Sequence, residues 1–374
     1  MCESTRSTTI AVVPGFVASV LLVPAIAVAD HPTLGLQQDG AGSITTLTAV
    51  TLPKGAMTVG FESQYLSNNE ISDFDLAHFA EEGEQVHSVE DVSNFSLNTA
   101  FGFTDRLTIG LNLPYVTRAG IREGAHQHEE EPGHTELDAH EDEGHVDDSD
   151  HSAAEAPEIR HLGSSSGIGD LTLYSQYRFF GDDDSNVHVS ALMGVKTPTG
   201  KTDVANDEGH RFEAEHQPGS GSWDWLAGVA VTRQWSKINL DSNVLYAFAG
   251  DGSQLSNLGD VFNYNIAMSY RFAHESKHGH GAGSHHHDAP ENTWDIALEL
   301  NGEWRDYVTV GGVRQTHTGG NLVYIAPSVR FNHRNGWTAY ASLGVPVIEN
   351  LNGVQSDPKF RLFVGISAGL GDAK

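Results

Sequence analysis

The strongest constraint on the fold of this 374-residue chain is an alternation of apolar and polar residues that begins near Met57. In TWDIALELNGEWR (residues 293–305), the large apolar residues occupy even-numbered positions from Trp294 to Trp304, and the charged residues occupy odd-numbered ones. The same period recurs in FNYNIAMSYRF (262–272). A period of two residues is that of a β-strand, because successive strand side chains point to opposite faces. The pattern therefore predicts an all-β protein.

Strand length and aromatic placement separate a soluble β-sandwich from a membrane barrel. The alternating segments run about ten to thirteen residues, and a strand that crosses a bilayer needs about nine to eleven. A sandwich would instead pack the apolar faces of two sheets together. Aromatic residues stand near the ends of the apolar faces, where outer-membrane barrels carry their aromatic girdles; these are Tyr65, Tyr115, Trp223, Trp304 and Trp337. We therefore expect a transmembrane antiparallel up-and-down β-barrel.

The alternation predicts about twelve strands, an even number, as single-chain bacterial barrels require. The predicted strands are residues 56–67, 91–103, 106–116, 167–180, 187–197, 222–234, 237–249, 262–272, 293–305, 321–332, 337–346 and 359–371. Connections alternate between tight and long, which indicates short periplasmic turns and long extracellular loops. The His-rich connection 273–292 is the exception, because it is long and falls on the periplasmic side.

The amino terminus predicts export. Residues 10–29 are apolar and end in Ala27-Val28-Ala29, the small-x-small pattern that a signal peptidase accepts. We expect residues 1–29 to be a signal peptide cleaved before Asp30 and residues 30–374 to form one barrel domain; an uncleaved membrane anchor is the alternative. Cys2, the single cysteine, would leave with the peptide, so the mature chain could hold no disulfide. The expected location is the outer membrane, with lipid and the barrel-assembly machinery as partners and a monomeric state.

Charge argues against nucleic acid as a partner. The chain has 21 Lys and Arg against 50 Asp and Glu, a formal net charge of −29, which repels phosphates and favours cations. Many of the acidic residues lie in the loop 117–166, and a second polar loop covers 273–292. Low hydrophobicity combined with high charge predicts that these loops are disordered.

Each of these two loops contains a histidine-rich tract, and neutral imidazole is a ligand of zinc, copper and nickel. The first tract, GAHQHEEEPGHTELDAHEDEGHVDDSDH, mixes His with Asp and Glu, and the second ends in a triple His beside an Asp. The candidate ligands are His126, His128, His134, His140, His145, His151, His274, His278, His280, His285, His286, His287 and Asp288. We predict loose, multi-site binding of Zn, Cu or Ni, with no cofactor required; a solvated loop that binds no metal is the alternative.

Polar residues on the inward strand faces predict the lumen and the solute path. These residues are Glu62, Asp170, Arg178, Asp224, Arg233, Asp241, Arg271, Asp295, Glu299, Glu303, Arg305 and Arg361. A twelve-stranded barrel is narrow, so we expect a plug of side chains and loop rather than an open channel.

The loop 203–223 holds a further candidate site, formed by His210, Glu213, Glu215 and His216. We expect this loop to fold over or into the lumen, where its polar groups would either bind solute or pair with lumen arginines. The arginines in question are Arg178, Arg233, Arg271 and Arg361. Pairing is favoured, because buried charges need partners.

Motif spacing argues against an enzyme. GSSSG at 163–167 matches the letters of a nucleophile elbow, but a strand and not a helix follows it. HEDEGH, from His140, places its two histidines five residues apart, whereas the helical zinc motif needs four. We therefore expect no catalytic residues.

Several runs resemble a known family. They are ITTLTAVTLPKGAM (44–57), GIGDLTLYSQYRFF (167–180), KTPTGKTD (196–203), RFEAEHQPGSGSWDW (211–225) and ELNGEWR (299–305). The G-[IL]-G-D and P-T-G motifs and the alternating strands are similar to those of the bacterial outer-membrane family named for the MetA-pathway of phenol degradation. The resemblance covers most of the mature chain and implies an outer-membrane barrel of a Gram-negative bacterium with an uptake or efflux role.

The functional hypothesis is an outer-membrane transporter or channel-like barrel for a small solute. The histidine-rich tracts favour divalent transition-metal ions as that solute. One alternative is the uptake of aromatic or hydrophobic compounds, which the family's name favours. A second alternative is an envelope metal-binding or buffering protein that transports nothing.

Overall fold

The computed structural model describes residues 42–84, 86–124, 159–182, 184–273 and 292–370. The predicted signal peptide and both histidine-rich tracts, with all their candidate metal ligands, lie outside the described residues. The strands are β1 (Met57–Asn68), β2 (His87–Thr104), β3 (Leu107–Gly124), β4 (Ile159–Ile168), β5 (Thr172–Phe180), β6 (Val187–Lys196), β7 (Asp224–Trp235), β8 (Ile238–Phe248), β9 (Ser256–Asn257), β10 (Val261–Ala273), β11 (Thr293–Arg305), β12 (Thr309–Val310), β13 (Val313–Arg314), β14 (Gly320–His333), β15 (Trp337–Leu351) and β16 (Pro358–Leu370). One α-helix, α1 (Asp73–Glu81), and two short 3-10 helices, Ala214–His216 and Ser253–Leu255, lie in the loops.

The long strands close into an antiparallel barrel. Each pairs with its neighbours in sequence, and β1 pairs with β16 from Met57 opposite Leu370 onward, which completes the ring. Strands β4 and β5 both pair with β3, so together they occupy one position in the wall. The minor strands β9, β12 and β13 form a separate small sheet in the loops. The prediction of a twelve-stranded antiparallel barrel is confirmed.

The outer face carries the apolar side of the alternation. On β2 the exposed apolar residues run from Phe95 to Phe103, and on β3 from Ile109 to Tyr115. The belt is nine residues tall on β2, which is within the nine to eleven that a membrane-spanning strand needs, and slightly shorter on β3. Both strands continue beyond the belt, to His87 and Gly124. Because a strand rises about 3.3 Å per residue, these extensions stand well clear of the belt.

The two ends of the barrel differ. Short connections such as 105–106, 181–186 and 236–237 lie at one end, here called the turn end. Long connections such as 197–223 and 306–319 lie at the other, here called the loop end. Helix α1 also lies at the loop end, where it contacts β3 and β4. The Ser72 hydroxyl accepts the Asp75 N–H and caps this helix. In the described part of the chain, no helix combines the length and the apolar composition needed to cross a bilayer.

The turn-end half of the lumen is filled by residues 42–53, here called the plug. The plug has no regular secondary structure, and its Leu47 and Ala49 pack against Leu192, Leu226 and Leu245 of the barrel wall. Polar lumen side chains bond its backbone; they include Gln176, Ser190, Thr232, Asn243, Glu299 and Arg330. An interior plug was expected, but this segment before the first strand was not identified as its source.

The bounds of both predicted histidine-rich loops, and of one neighbouring strand, need correction. The loop predicted over 117–166 is shorter, because β3 continues to Gly124 and β4 begins at Ile159. These extensions pair with each other and with β2, whose first residue is His87 rather than residue 91. Backbone pairing sustains them without the apolar alternation that lipid imposes on the belt. The connection after β10 is likewise one residue shorter, since Ala273 belongs to that strand.

Candidate functional site

A cavity of about 650 Å³ occupies the loop-end half of the barrel. One part of its lining is apolar and consists of Leu66, Val86, Val89, Val92, Leu258, Val308, Leu322, Leu351, Val354 and Pro358, with Tyr324 among them. The rest of the lining is polar and includes side chains of β2, β3, β11 and the loop between β6 and β7. The cavity can therefore enclose a small molecule with an apolar body and a polar group.

The polar part centres on His87, Glu213, Glu215 and His216. The Nδ1 atom of His87 lies 3.6 Å from Glu215 Oε1, and the Nε2 atom of His216 lies 3.5 Å from the same oxygen. Glu213 Oε2 is 3.8 Å from His87 Nδ1. The two imidazole rings meet edge to face, with centroids 4.9 Å apart. The other ring nitrogen of His87, Nε2, lies 3.1 Å from Glu123 on β3.

The loop that carries Glu213 to His216 is fixed by Asp170, between β4 and β5. One Asp170 oxygen accepts the backbone N–H of Gly200 at 2.8 Å, and the other accepts both the N–H and the hydroxyl of Ser220. Gly200 and Gly219 touch, since a Cβ on Gly219 would lie 2.6 Å from the Gly200 backbone. The runs GIGD, PTG and PGSGSW, separate in sequence, therefore meet at one place and orient the loop.

Charge in this cluster is unevenly distributed, and the groups concerned lie outside the apolar belt. Burial opposes protonation of His87, but its hydrogen bond to Glu123 and the negative charges of Glu215 and Glu213 outweigh burial and raise its pKa to about 10. Burial would raise the pKa of Glu215, yet its close contact with His87 and the positive charge of Arg118 lower it to about 2. Burial lowers the pKa of His216 to about 3. At neutral pH, His87 and Glu215 are charged and His216 is a neutral imidazole.

Burial also raises the pKa of Glu213 above its ordinary value. Arg118 of β3 lines the same cavity and donates a hydrogen bond to the backbone carbonyl of Gln217 at 2.8 Å. The guanidinium thus adds a positive charge at the end of the loop. The arrangement offers both hydrogen-bond acceptors and a cation to a polar solute group.

The structure places most of the predicted lumen residues on the inward face, in three kinds of environment. Glu303 and Arg305 line the cavity. Glu299 and Asp241 bond the plug. The remainder hold the wall or the loop: Arg271 pairs with Asp295, Glu62 accepts the Tyr340 hydroxyl, Arg178 donates to the Asp105 carbonyl, Arg361 lies over the Tyr324 ring, and Asp224 pairs with Lys196 beside Asp170.

Arg233 does not lie on the lumen face, where it was predicted. It is exposed and shares the outward face of β7 with Trp225 and Trp235, and its guanidinium lies 4.5 Å from the Trp235 ring centroid. A long charged side chain at the rim of the apolar belt can reach water while its stem covers apolar surface. Charge at a strand end therefore does not identify the lumen face.

The predicted loop site is brought together in part. Glu213, Glu215 and His216 line the cavity, but His210 is 76% exposed and lies beside Glu208. The favoured pairing of this loop with Arg178, Arg233, Arg271 and Arg361 is not what the described contacts provide, since those arginines have the partners given above. The loop contacts His87 and Arg118 instead.

His87 was missed because strand alternation does not continue to it. Val92, Val89 and His87 all line the cavity, so the side-chain direction changes near Glu90. Gly120, opposite Glu90, has φ +62°, a conformation that favours glycine. The signal available in the sequence was a lone histidine near the start of a predicted strand, which indicates no particular role.

A closed barrel of twelve antiparallel strands, with an apolar outer belt and a polar lumen, defines a β-barrel of the outer-membrane type. Residues 89–345 match the family described as the MetA-pathway of phenol degradation. The chain belongs to this family, which confirms the resemblance seen in its motifs.

Three solved structures align with most of this chain at low sequence identity. The NanC porin is 8% identical with a TM-score of 0.41, over 83% of this chain and 100% of that one. The CymD monoaromatic hydrocarbon channel is 10% identical with a TM-score of 0.39, over 86% and 90%. The toluene transporter TbuX of Ralstonia pickettii is 8% identical with a TM-score of 0.38, over 86% and 90%. No curated protein matches the chain in sequence.

Proposed function

We propose that this barrel conducts a small amphipathic solute, with an aromatic or other apolar body and one polar group, across the outer membrane. The observation that carries the proposal is the loop-end cavity of about 650 Å³. Ligand cavities of about 300–1,000 Å³ with apolar walls and a few convergent polar groups suit molecules of this kind. The family's description, which names phenol degradation, supports the same solute class.

The plug completes the transport mechanism. It fills the turn-end half of the lumen below the cavity, so a bound solute would pass only when the plug moves. Hydrogen bonds of polar lumen side chains, rather than covalent links, hold the plug. A transporter of this kind therefore binds its solute at the loop end first and releases it at the turn end later.

Aromatic solutes fit this cavity better than metal ions do. The histidine-rich tracts that favoured metal transport lie outside the described residues. A large part of the cavity wall is made of side chains such as Leu322, Leu351 and Val354, which offer no ligand to a hydrated cation but suit an apolar solute. The alternative of aromatic uptake thus replaces metal transport as the leading function.

The test uses phenol as the probe and two matched variants. Leu322→Trp fills the cavity, whereas Leu298→Trp makes the same change on the outward face of neighbouring β11, where Leu298 is 50% exposed. Phenol binding is measured calorimetrically on the purified barrel in detergent, and uptake of labelled phenol is measured in Gram-negative cells that produce it. We expect Leu322→Trp to weaken binding and slow uptake, and Leu298→Trp to leave both unchanged. Absence of phenol binding by the wild-type barrel, or equal binding by all three proteins, would refute the proposal.

A further inference from the structure

The side chains of His87, Glu215 and His216 have the geometry of a metal-binding site. One ligand atom from each lies within 4.8 Å of the other two. Glu215 Oε1 is 3.6 Å from His87 Nδ1 and 3.5 Å from His216 Nε2. Zinc binds imidazole nitrogen and carboxylate oxygen at about 2.0–2.2 Å, and tetrahedral coordination then places two ligand atoms about 3.4 Å apart. The two distances to Glu215 Oε1 are close to this value, and the two histidine nitrogens lie within 4.8 Å of each other, near enough for small movements to let all three atoms share one ion.

His216 lacks a hydrogen-bond partner that would explain its position. Its side chain is only 6% exposed, and Nε2 makes no hydrogen bond among the described residues. At 3.5 Å, the contact with Glu215 Oε1 is too long to be one. A buried polar atom without a partner costs free energy, so such an atom indicates a missing ligand.

His87 has the environment of a metal-ligating histidine. Its Nδ1 faces Glu215 and His216, and its Nε2 lies 3.1 Å from the Glu123 carboxylate. A bound metal ion would displace the proton that Nδ1 carries in the metal-free protein, so binding releases a proton. Metal-bound histidines usually donate their second ring N–H to a carboxylate, which fixes the ring and makes the ligating nitrogen more basic. Glu213, 3.8 Å from His87 Nδ1 and 45% exposed, stands where a fourth ligand would come from.

We propose that His87, Glu215 and His216 bind one divalent transition-metal ion of the zinc class at the wall of the cavity. Imidazole nitrogens with a carboxylate suit zinc, and nickel and copper are close competitors. The ion links β2 of the barrel wall to the loop between β6 and β7 and holds that loop beside the cavity. Metal binding is measured without any solute, so this site stands or falls separately from the proposed transport.

The experiment separates this site from the histidine-rich tracts. All twelve tract histidines, His126 to His151 and His274 to His287, are replaced by Ser in the full chain, which keeps the loop lengths. This background protein, folded in detergent and freed of metal with a chelator, is titrated with Zn²⁺ by calorimetry and with Co²⁺ by visible absorption. We expect one equivalent of metal to bind and Co²⁺ to show the intense bands of tetrahedral coordination.

Variants in this background assign the ligands. His87→Ala, His216→Ala and Glu215→Gln are each expected to lose the Co²⁺ bands, and Glu123→Gln is expected to weaken Zn²⁺ binding about 10–100-fold. His210→Ala, an exposed histidine of the same loop, is the matched control and should bind as the background does. Heat-modifiable electrophoretic mobility reports whether each barrel is folded. If a histidine variant fails to fold, Glu215→Gln still tests the assignment, because glutamine is nearly isosteric with glutamate. Less than one equivalent bound by the background, or undiminished binding by Glu215→Gln, would overturn the assignment.

Discussion

The Glu299 carboxylate accepts the backbone N–H of Ile44 at 2.9 Å inside the barrel. The same carboxylate also accepts the N–H groups and the hydroxyls of Thr45 and Thr46. Five hydrogen bonds from three consecutive plug residues thus converge on one lumen side chain. Glu299 is the principal anchor of the plug.

Removal of this anchor should release the plug. Hydrogen bonds to a charged group contribute about 1.5–3 kcal/mol each, so Glu299→Ala shifts the plug toward a displaced state. We expect a clear rise in ion conductance in planar bilayers, and a smaller rise for Glu299→Gln, which keeps one acceptor oxygen. Glu349→Ala, an exposed residue near the loop end of β15, is the control. If Glu299→Ala conducts as the wild type does, the plug is held by its other contacts.

Asp170 should be required for the position of the loop between β6 and β7. Asp170→Asn keeps one acceptor oxygen, and its NH2 group then meets either the Gly200 N–H or the two Ser220 donors without an acceptor for them. We expect a loss of about 2–4 kcal/mol in the free energy of unfolding, measured by urea titration with tryptophan fluorescence. Asp203→Asn, an exposed residue of the same loop, should change it by no more than about 0.5 kcal/mol. If the two variants had similar free energies of unfolding, Asp170 would not be required to position this loop.

The apolar belt should respond to charge as a lipid-facing surface does. Leu298 lies at the middle of β11 and is half exposed. Because an arginine at the bilayer midplane is unfavourable, we expect Leu298→Arg to lower the free energy of unfolding by about 2–4 kcal/mol. Val313→Arg makes a comparable change on an exposed residue of the loop-end hairpin β12–β13 and should be close to neutral. The free energy of unfolding of each variant is measured in lipid vesicles. Equal effects would show that Leu298 does not face lipid.

The loop-end contact between Glu84 and His317 should depend on pH. Hydrogen bonds from His317 and Thr316 lower the pKa of the Glu84 carboxyl below its ordinary 4.5. Because the folded pKa is the lower one, the stabilisation is present above pH 4.5 and is lost as the pH falls through the folded value. NMR titration of the Glu84 carboxyl should give a pKa below 4.5 that returns toward it in His317→Ala. His210→Ala should leave it lowered; no difference between the two variants would contradict the pairing.

Strand positions were predictable where lipid imposes the pattern. Strand β11 was predicted over 293–305 and is found there, because its outward residues must be apolar throughout the belt. Predictions ended early at β2 and β3, whose loop-end extensions are polar and are held by backbone pairing. Arg233 was misplaced for a related reason, since the rim of the belt tolerates an outward charge.

The cluster at the cavity wall was only half predictable. Glu213, Glu215 and His216 were candidates because they are close together in sequence. Their partner His87 is more than a hundred residues away, and it faces them only because the barrel closes and the side-chain direction changes opposite Gly120.

The sequence by itself determined the barrel, its twelve strands and the division into short turns and long loops. It did so because each strand's apolar face follows from an alternation of apolar and polar residues that is visible within the strand itself. Tertiary structure alone decided what fills the lumen and what meets at the cavity wall. The plug anchor on Glu299, the meeting of three glycine-containing runs at Asp170 and the pairing of His87 with Glu215 join residues far apart in the chain. Contacts of that kind depend on through-space distance after closure, and no local pattern encodes them.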